Sequence, residues 1–315
     1  SSWASMIDNR IELTKDLLSE KGVNIVAIDD FELFNLNQIA TGIYGAQNFL
    51  GNLIVEIKPS GRTNDDFLAT SHEYNLFYAN DSAKININFE ELSDSQKAEY
   101  KYEDKVSKYK WRDFLRTGGY STPEERPNSF YPIYYKEETN HISLKEILGY
   151  ERIMPIDSNG KNRVWRKTPP SLQKHIDAGD IQITKNKSKY KVEIKDRIKE
   201  GKRPKSIWVG PQYDASSHGT KHIKKLFTNP NFSYPKSIFS VIDTISLVTN
   251  DESIVLDIFG GSGTTAEAVM RKNENTQNLK FIIGEQNSYI YNTIIPRIKK
   301  IAYSFDWKDG KPKNG

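Results

Sequence analysis

The chain contains no cysteine. That excludes disulfide frameworks, thiolate zinc sites and cysteine nucleophiles, and it suits a cytoplasmic protein. No apolar run approaches the ~20 residues needed to cross a bilayer, so no membrane partner is expected. The opening Ser1-Ser2-Trp3-Ala4-Ser5-Met6 has neither a basic leader nor an apolar signal core, and position 1 is not methionine. The chain reads as though it began in the middle of a longer one. No lysine follows Gly263, so a G-x-x-x-x-G-K-[ST] phosphate loop is excluded. His218 and His222 stand four apart, but Gly219 rather than Glu follows the first and no third ligand accompanies them, so no metal site is expected.

What is present is 315 residues, enough for two domains at the usual ~100–200 residues each. Hydrophobic residues make up 37% and charged residues 27%, which marks a globular rather than a disordered chain. Forty-five Lys and Arg against 41 Asp and Glu leave a net charge of +4. That mild excess permits a nucleic-acid partner without demanding one.

Three stretches differ in character. Residues 1–80 alternate helical and strand patterns. Trp3, Ile7, Ile11, Leu17 and Leu18 recur at helical spacing, and Lys21-Gly22 looks like a helix end closed by a left-handed glycine. Strands are predicted over 23–28, 49–57 and 74–79, with a second helix running to about Ile43. Residues 81–231 are polar, basic and weakly periodic. Gly118-Gly119, Pro123, Pro127, Pro169-Pro170 and Pro204 cut them into short pieces, which predicts an irregular α+β insert. Residues 232–307 return to α/β, with helices over 237–247 and 264–272 and strands over 253–259 and 280–284. A last helix begins near Tyr289, and Pro296 should kink or restart it. Residues 308–315 are expected to be a frayed tail.

The most informative stretch is Ile254-Val255-Leu256-Asp257-Ile258-Phe259-Gly260-Gly261-Ser262-Gly263-Thr264-Thr265-Ala266. A hydrophobic strand runs into small residues and then into a helix. Glycines let backbone approach a ligand without an intervening Cβ, and the helix start offers unpaired N–H groups and partial positive charge. Gly261, Gly263 and Ala266 satisfy the dinucleotide spacing G-x-G-x-x-G/A, and Glu285 ends the next strand about twenty residues on. Nicotinamide dinucleotides and S-adenosylmethionine both need such a bend and such an acid, so the spacing alone leaves both open.

Residues Asp257 to Thr265 resemble motif I of the β-class DNA amino-methyltransferases, whose core is Phe-x-Gly-x-Gly. Those enzymes are circularly permuted: catalytic motif first, target recognition in the middle, cofactor loop last. The order here is similar. Residues 22–32, Gly-Val-Asn-Ile-Val-Ala-Ile-Asp-Asp-Phe-Glu, resemble the strand and acid after the family's catalytic motif. Phe232-Ser233-Tyr234-Pro235-Lys236-Ser237 resembles motif X. Arg126–Ile133, Gly201–Lys205, Ser216–Lys221 and Ile294–Ile298 are similar to stretches of the modification subunits of type III restriction systems.

The resemblance implies a Rossmann-like, S-adenosylmethionine-dependent methyltransferase sheet, circularly permuted and incomplete, with an inserted α+β target-recognition domain. It implies S-adenosylmethionine as cofactor, with Gly261 and Gly263 passing close to it, Phe259 flanking it and Thr264 at the same bend. Asp257 would orient the loop or the methionine amine, Glu285 would accept from the ribose hydroxyls, and Lys236 or Ser237 would reach the methionine carboxylate. The implied reaction is adenine-N6 methylation; cytosine-N4 methylation and a non-catalytic DNA- or partner-binding role are the alternatives. The implied partners are double-stranded DNA, a restriction subunit and a second copy of the chain.

One departure matters. The family's catalytic tetrapeptide is Asp-Pro-Pro-Tyr or a close variant, and Thr168-Pro169-Pro170-Ser171 has neither the acid nor the aromatic. In the family the tetrapeptide falls shortly before the helix that starts here at Trp3. No catalytic residue is assigned, this chain alone is expected to be inactive, and the strand ending at Asp257 should lack a neighbour.

Candidate DNA contacts lie in and beside the insert. Basic residues crowd positions 185–205, and Arg163, Arg166 and Lys167 surround Trp165. Cations interleaved with aromatics suit phosphate contact and base stacking, although a lone charge run is more often a solvated face. Arg116, Arg126, Lys202, Arg203, Lys205, His218 and Lys221 complete the set.

Overall fold

The chain begins with α1 (Ser2–Leu17), β1 (Val23–Ile28), α2 (Leu33–Tyr44), β2 (Phe49–Glu56) and β3 (His72–Ala79). The computed structural model describes residues 2–63, 65–186, 189–230, 232–274 and 278–313. Lys187 of the basic run and Asn314 and Gly315 of the expected tail lie outside the described residues. Ile7 and Ile11 of α1, and Leu36, Ala40 and Tyr44 of α2, recur every four residues and so line one face of each helix. Both faces pack on Leu76 and Tyr78 of β3. β3 lies between β1 and β2, antiparallel to each, with registers Val23↔Ala79 and Leu53↔Asn75. Gly22 does not adopt the left-handed conformation expected of it, and α1 ends earlier, at Leu17.

Residues 91–202 form one compact unit, and residues 1–90 with 203–315 form another. The first of these begins with α3 (Asp94–Lys97), held by a Ser93/Gln96 capping box. It continues with β4 (Tyr102–Glu103), β5 (Lys108–Asp113), β6 (Leu115–Arg116), β7 (Ile133–Lys136), β8 (His141–Ser143), β9 (Glu151–Ile153), β10 (Val164–Trp165), α4 (Pro169–Asp177), β11 (Ile181–Asn186) and β12 (Lys189–Arg197). Three small sheets, β11-β12-β5-β4, β8-β7-β9 and β10-β6, enclose a core of Phe114, Ile133, Trp165, Leu172 and Ile194.

The sequence reading placed the insert at 81–231, whereas residues 81–90 and 203–231 pack with the other unit. The Asn88 amide donates to the Leu247 carbonyl at 2.8 Å, β13 (Ile207–Trp208) pairs in parallel with β2, and α5 (Lys221–Leu226) buries Ile223 and Leu226. The polar composition of these segments hides the few apolar residues that anchor them.

The chain then runs through α6 (Ile238–Ser246), β14 (Ile254–Asp257), α7 (Thr264–Asn273) and β15 (Lys280–Ile283). A π-helical turn, Ile290–Ile294, leads into α8 (Ile295–Tyr303), so Pro296 falls in the first turn, where its missing N–H costs no bond. β16 (Trp307–Lys308) pairs with β17 (Lys311–Pro312), so the described part of the expected tail is a hairpin. Trp307 anchors it by packing on Leu226 and Ile301.

β14 and β15 are parallel, Ile254↔Lys280 through Asp257↔Ile283. Val255 and Phe281 turn to one face and pack on Ile238, Ile245, Ala268 and Val269. The other face shows Ile254 (62% exposed), Leu256 (38%) and Ile282 (57%) to solvent. Among the described residues β14 has a ladder partner only in β15, and β1 only in β3.

Candidate functional site

Two hydrogen bonds extend the parallel ladder past the strand ends. The Gly284 amide donates to the Asp257 carbonyl (2.7 Å), and the Gly260 amide to the Gly284 carbonyl (2.9 Å). The chain after β14 therefore bends directly beside the chain after β15. Gly260 admits no side chain, because a Cβ there would lie 2.3 Å from Ile283 Cγ2. Gly261 (φ 51°) and Gly263 (φ 77°) take left-handed conformations that close the bend, and the Gly263 amide donates back to the Gly260 carbonyl at 2.7 Å.

The bend is braced by both sequence-predicted acids. Asp257 Oδ1 accepts the Phe259 amide (3.0 Å) and Oδ2 accepts the Thr265 hydroxyl (2.6 Å), which fastens the strand end to the first turn of α7. Glu285 Oε2 accepts the Gly261 amide (2.8 Å) and Oε1 the Asn287 amide (2.8 Å). Burial pushes the Glu285 carboxyl upward, but these amides outweigh it and hold the group below the usual range. Phe259 stands at the mouth of the bend, 53% exposed. The Thr264 side chain is buried, its hydroxyl paired with Ser262 Oγ at 2.9 Å.

The 232–237 segment lies against the same bend. A Cβ built on Gly261 would sit 3.1 Å from Phe232 Cζ, and the Phe232 ring meets Tyr289 edge-on at 5.1 Å. Tyr234 has φ 60° and is 94% exposed. Lys236 Nζ pairs with Glu73 Oε2 at 2.7 Å, and the buried Ser237 hydroxyl donates to the Gln212 carbonyl at 2.6 Å. Both therefore engage protein partners beside the bend. Across the sheet, at the end of β1, Asp29 accepts the Phe31 amide, and Asp30 accepts the Tyr74 hydroxyl at 2.9 Å.

Beneath the bend lies a buried ionic cluster that no sequence pattern announced. Arg297 of α8 donates Nε to Glu267 Oε2 (2.7 Å) and Nη1 to the Ser262 carbonyl (2.9 Å). Glu267 Oε1 pairs with His222 Nε2 (2.7 Å) and accepts Arg271 Nε (2.8 Å). Burial raises the Glu267 carboxyl, but the His222 hydrogen bond and the charges of Arg297, His222 and Arg271 carry it well below the usual range, so it stays ionised. Spacing gives only the Glu267–Arg271 pair on α7; Arg297 arrives thirty residues later by packing. Two cavities lie apart from the bend. One of about 770 Å³ is lined by Asp8, Glu12, Ile39 and Gly42, and one of about 270 Å³ by His218, His222, Arg271 and Trp307.

The predicted DNA contacts divide by their partners. Arg163 is tied to Asp157 (2.8 Å) and Ser121 (3.1 Å), Arg166 donates to the Asp113 carbonyl (2.6 Å), and Arg116 holds the Gly119 and Tyr120 carbonyls. Trp165, read as a stacking platform, is instead a core residue stacked on Phe114 and donating to the Tyr131 carbonyl. His218 packs edge-on against Phe239. Arg126 and Lys202 are half-buried, and Lys167, Arg203, Lys205 and Lys221 are exposed. In the basic run, Lys185, Lys191, Lys195 and Arg197 pair with Glu137, Glu193, Asp104 and both Asp104 and Asp180 respectively. Among the described residues no group of three His, Asp or Glu side chains could hold a metal ion. No helix among them is long and apolar enough to cross a membrane.

Residues 1–296 match the model of the N6/N4 methyltransferase family, described as DNA methylase. The type II methyltransferase M.KpnI of Klebsiella pneumoniae is 28% identical over 94% of the chain and 69% of its own length. The EcoPI Mod subunit of Escherichia phage P1, a type III restriction-modification enzyme, is 28% identical over 98% of the chain. The chain spans only 48% of that relative. A solved structure, of an M1.HpyAVI–SAM complex, aligns with TM-score 0.41 and 12% identity, covering 92% of this chain and 81% of that one.

Proposed function

The chain belongs to the N6/N4 DNA methylase family, and from that premise we propose that it binds S-adenosylmethionine at the bend 258–264, as part of a site-specific adenine-N6 methyltransferase of a type III restriction system. The observation that carries the cofactor reading is Glu285 beside Gly261 at 2.8 Å, where two parallel strands end together. Ligands of open α/β sheets bind at the carboxyl ends of the strands, next to a glycine bend and a helix start. The fit rests on the cradle itself: a Cβ at Gly260 would collide with Ile283, and Gly261 and Gly263 need left-handed backbone.

When bound, the cofactor supplies an electrophilic sulfonium methyl for in-line transfer to an exocyclic amine. The chain's own residues bind and orient. Glu285 keeps lone pairs beyond those used by Gly261 and Asn287 and accepts from ribose hydroxyls. Asp257 holds the bend's shape through Phe259 and Thr265, Phe259 flanks the ligand, and Lys236 and Ser237 set the neighbouring wall. The amino lone pair of adenine is delocalised into its ring and needs acceptors to localise it. No Asp-Pro-Pro-Tyr tetrapeptide occurs in these residues to supply them, so this chain alone is expected to bind rather than to transfer. Exposed Lys167, Arg203, Lys205 and Lys221 would contact DNA phosphates. A restriction subunit and a second copy of the chain are the proposed partners, and the cytoplasm the proposed location.

The test is equilibrium binding of tritiated S-adenosylmethionine to the chain. Saturable binding, displaced by S-adenosylhomocysteine and untouched by NAD, is expected. No binding, or displacement by NAD, would end the reading.

A further inference from the structure

The buried pair under the bend is a strange choice if stability alone is at stake. Arg297 is 1% exposed and Glu267 equally so, and taking two charges out of water costs more than packing two apolar side chains of the same volume. The surroundings could supply such packing, since Ile294 and Ile301 flank Arg297 on its own helix and both are buried. What a guanidinium does that an apolar side chain cannot is bind backbone. Nη1 of Arg297 donates to the Ser262 carbonyl at 2.9 Å, Ser262 Oγ at 3.2 Å and Thr264 Oγ1 at 3.1 Å.

The Ser262–Gly263 peptide lies between Gly261 (φ 51°) and Gly263 (φ 77°). Glycines on both sides leave the peptide plane little intrinsic preference, so its orientation must come from its partners. Those partners are the Gly260 carbonyl, which takes the Gly263 amide at 2.7 Å, and Arg297, which takes the Ser262 carbonyl. Glu267 fixes the guanidinium, and is itself held by His222 from α5 and Arg271 from α7. Three helices thus converge on one peptide plane of the glycine bend.

We propose that Arg297 is a positioning residue for cofactor binding: it locks the Ser262–Gly263 peptide in its binding orientation before the ligand arrives. A bend already ordered does not spend binding energy on ordering itself. The inference rests on the S-adenosylmethionine reading, and the experiment keeps the two apart by including a readout that needs no cofactor.

The variants are Arg297→Met, the paired Arg297→Met/Glu267→Met, Arg297→Lys, and Val192→Ala in the other unit as a control for general destabilisation. Each is followed by thermal melting, amide hydrogen exchange over residues 258–266, and S-adenosylmethionine binding. The paired variant removes both buried charges and should melt near the wild type. Its bend should nonetheless exchange faster and its Kd should rise roughly tenfold, the scale set by losing one charge-assisted hydrogen bond. If the paired variant fails to fold, Arg297→Lys carries the test. Its single ammonium cannot reproduce the fork, and the same faster exchange and weaker binding are expected. Val192→Ala should lower the melting point and leave bend and Kd alone. A folded paired or lysine variant with wild-type exchange and wild-type Kd would reduce Arg297 to core filling. If the wild type itself does not bind S-adenosylmethionine, the cofactor reading falls, while unchanged or faster exchange in the variants still decides whether Arg297 holds the bend.

Discussion

The carboxylate of Glu285 accepts the amide of Gly261 at 2.8 Å, which ties the end of one parallel strand to the bend that follows its neighbour. The same carboxylate is proposed to hold the cofactor's sugar. Glu285→Ala removes a charged acceptor worth about 1.5–3 kcal/mol, so S-adenosylmethionine affinity should fall by roughly tenfold to a hundredfold. Isothermal titration checks this, and an unaltered Kd would move the sugar elsewhere.

Gly260→Ala places a methyl 2.3 Å from Ile283 Cγ2 and 3.2 Å from the Gly284 carbonyl. The backbone there is hydrogen-bonded and has no room to retreat, so the cost should be about 1–3 kcal/mol. Urea denaturation of variant and wild type measures it, and equal midpoints would show that the two strand ends pack less tightly than described.

Two buried acids give opposite pH dependences. The folded Glu267 carboxyl titrates below its free value of 4.5, held there against burial by His222, Arg297 and Arg271. Its contribution is therefore complete above about pH 4.5 and is lost as pH falls through the folded value. Asp243 titrates above its free value of 3.8, because burial outweighs the Tyr213 hydroxyl that donates to it at 2.9 Å. Its ionised form is a liability at neutral pH that disappears on acidification. Asp243→Asn should raise the melting point at pH 7 and lose that advantage near pH 4, whereas Glu267→Gln should lower it at pH 7. Melting curves across this range test both signs.

Among the predicted DNA contacts, partners separate phosphate binders from braces. Lys167, Arg203, Lys205 and Lys221 are exposed, and replacing each with alanine should weaken DNA binding evenly across sequences and reduce the salt slope by about 1. Arg163→Ala should act on stability instead, because it strands the half-buried Asp157 at the other end of a 2.8 Å pair. Filter binding over a salt series, with melting in parallel, distinguishes the two classes.

The bend and its flanking elements could be read from residue order because the signal there is local. A strand pattern, small residues with glycines at fixed spacing, and an acid at the next strand end all fall within 254–285. Pro296 announced the restart of the last helix in the same local way. What could not be read was set by contacts distant in sequence. Arg297 and Glu267 are thirty residues apart and meet through the packing of α7 on α8. Trp165 sits among arginines in the sequence, yet its ring is buried and the charges point away from it. Residues 203–231 look like the polar insert, but Trp208, Ile223 and Leu226 bind them to the other unit. A few apolar anchors in a polar stretch leave little trace in composition.

The wide turn at Ile290–Ile294 sets the rotational phase of everything after it. A π turn carries one residue more than an α turn, and each residue advances a helix by about 100°. Deleting the exposed Tyr291 would let the segment relax into continuous α-helix and swing Arg297 round by roughly that angle, out of reach of Glu267. A single-codon loss at a solvent-facing tyrosine would then unclasp the interior of the molecule, although no buried side chain had been altered.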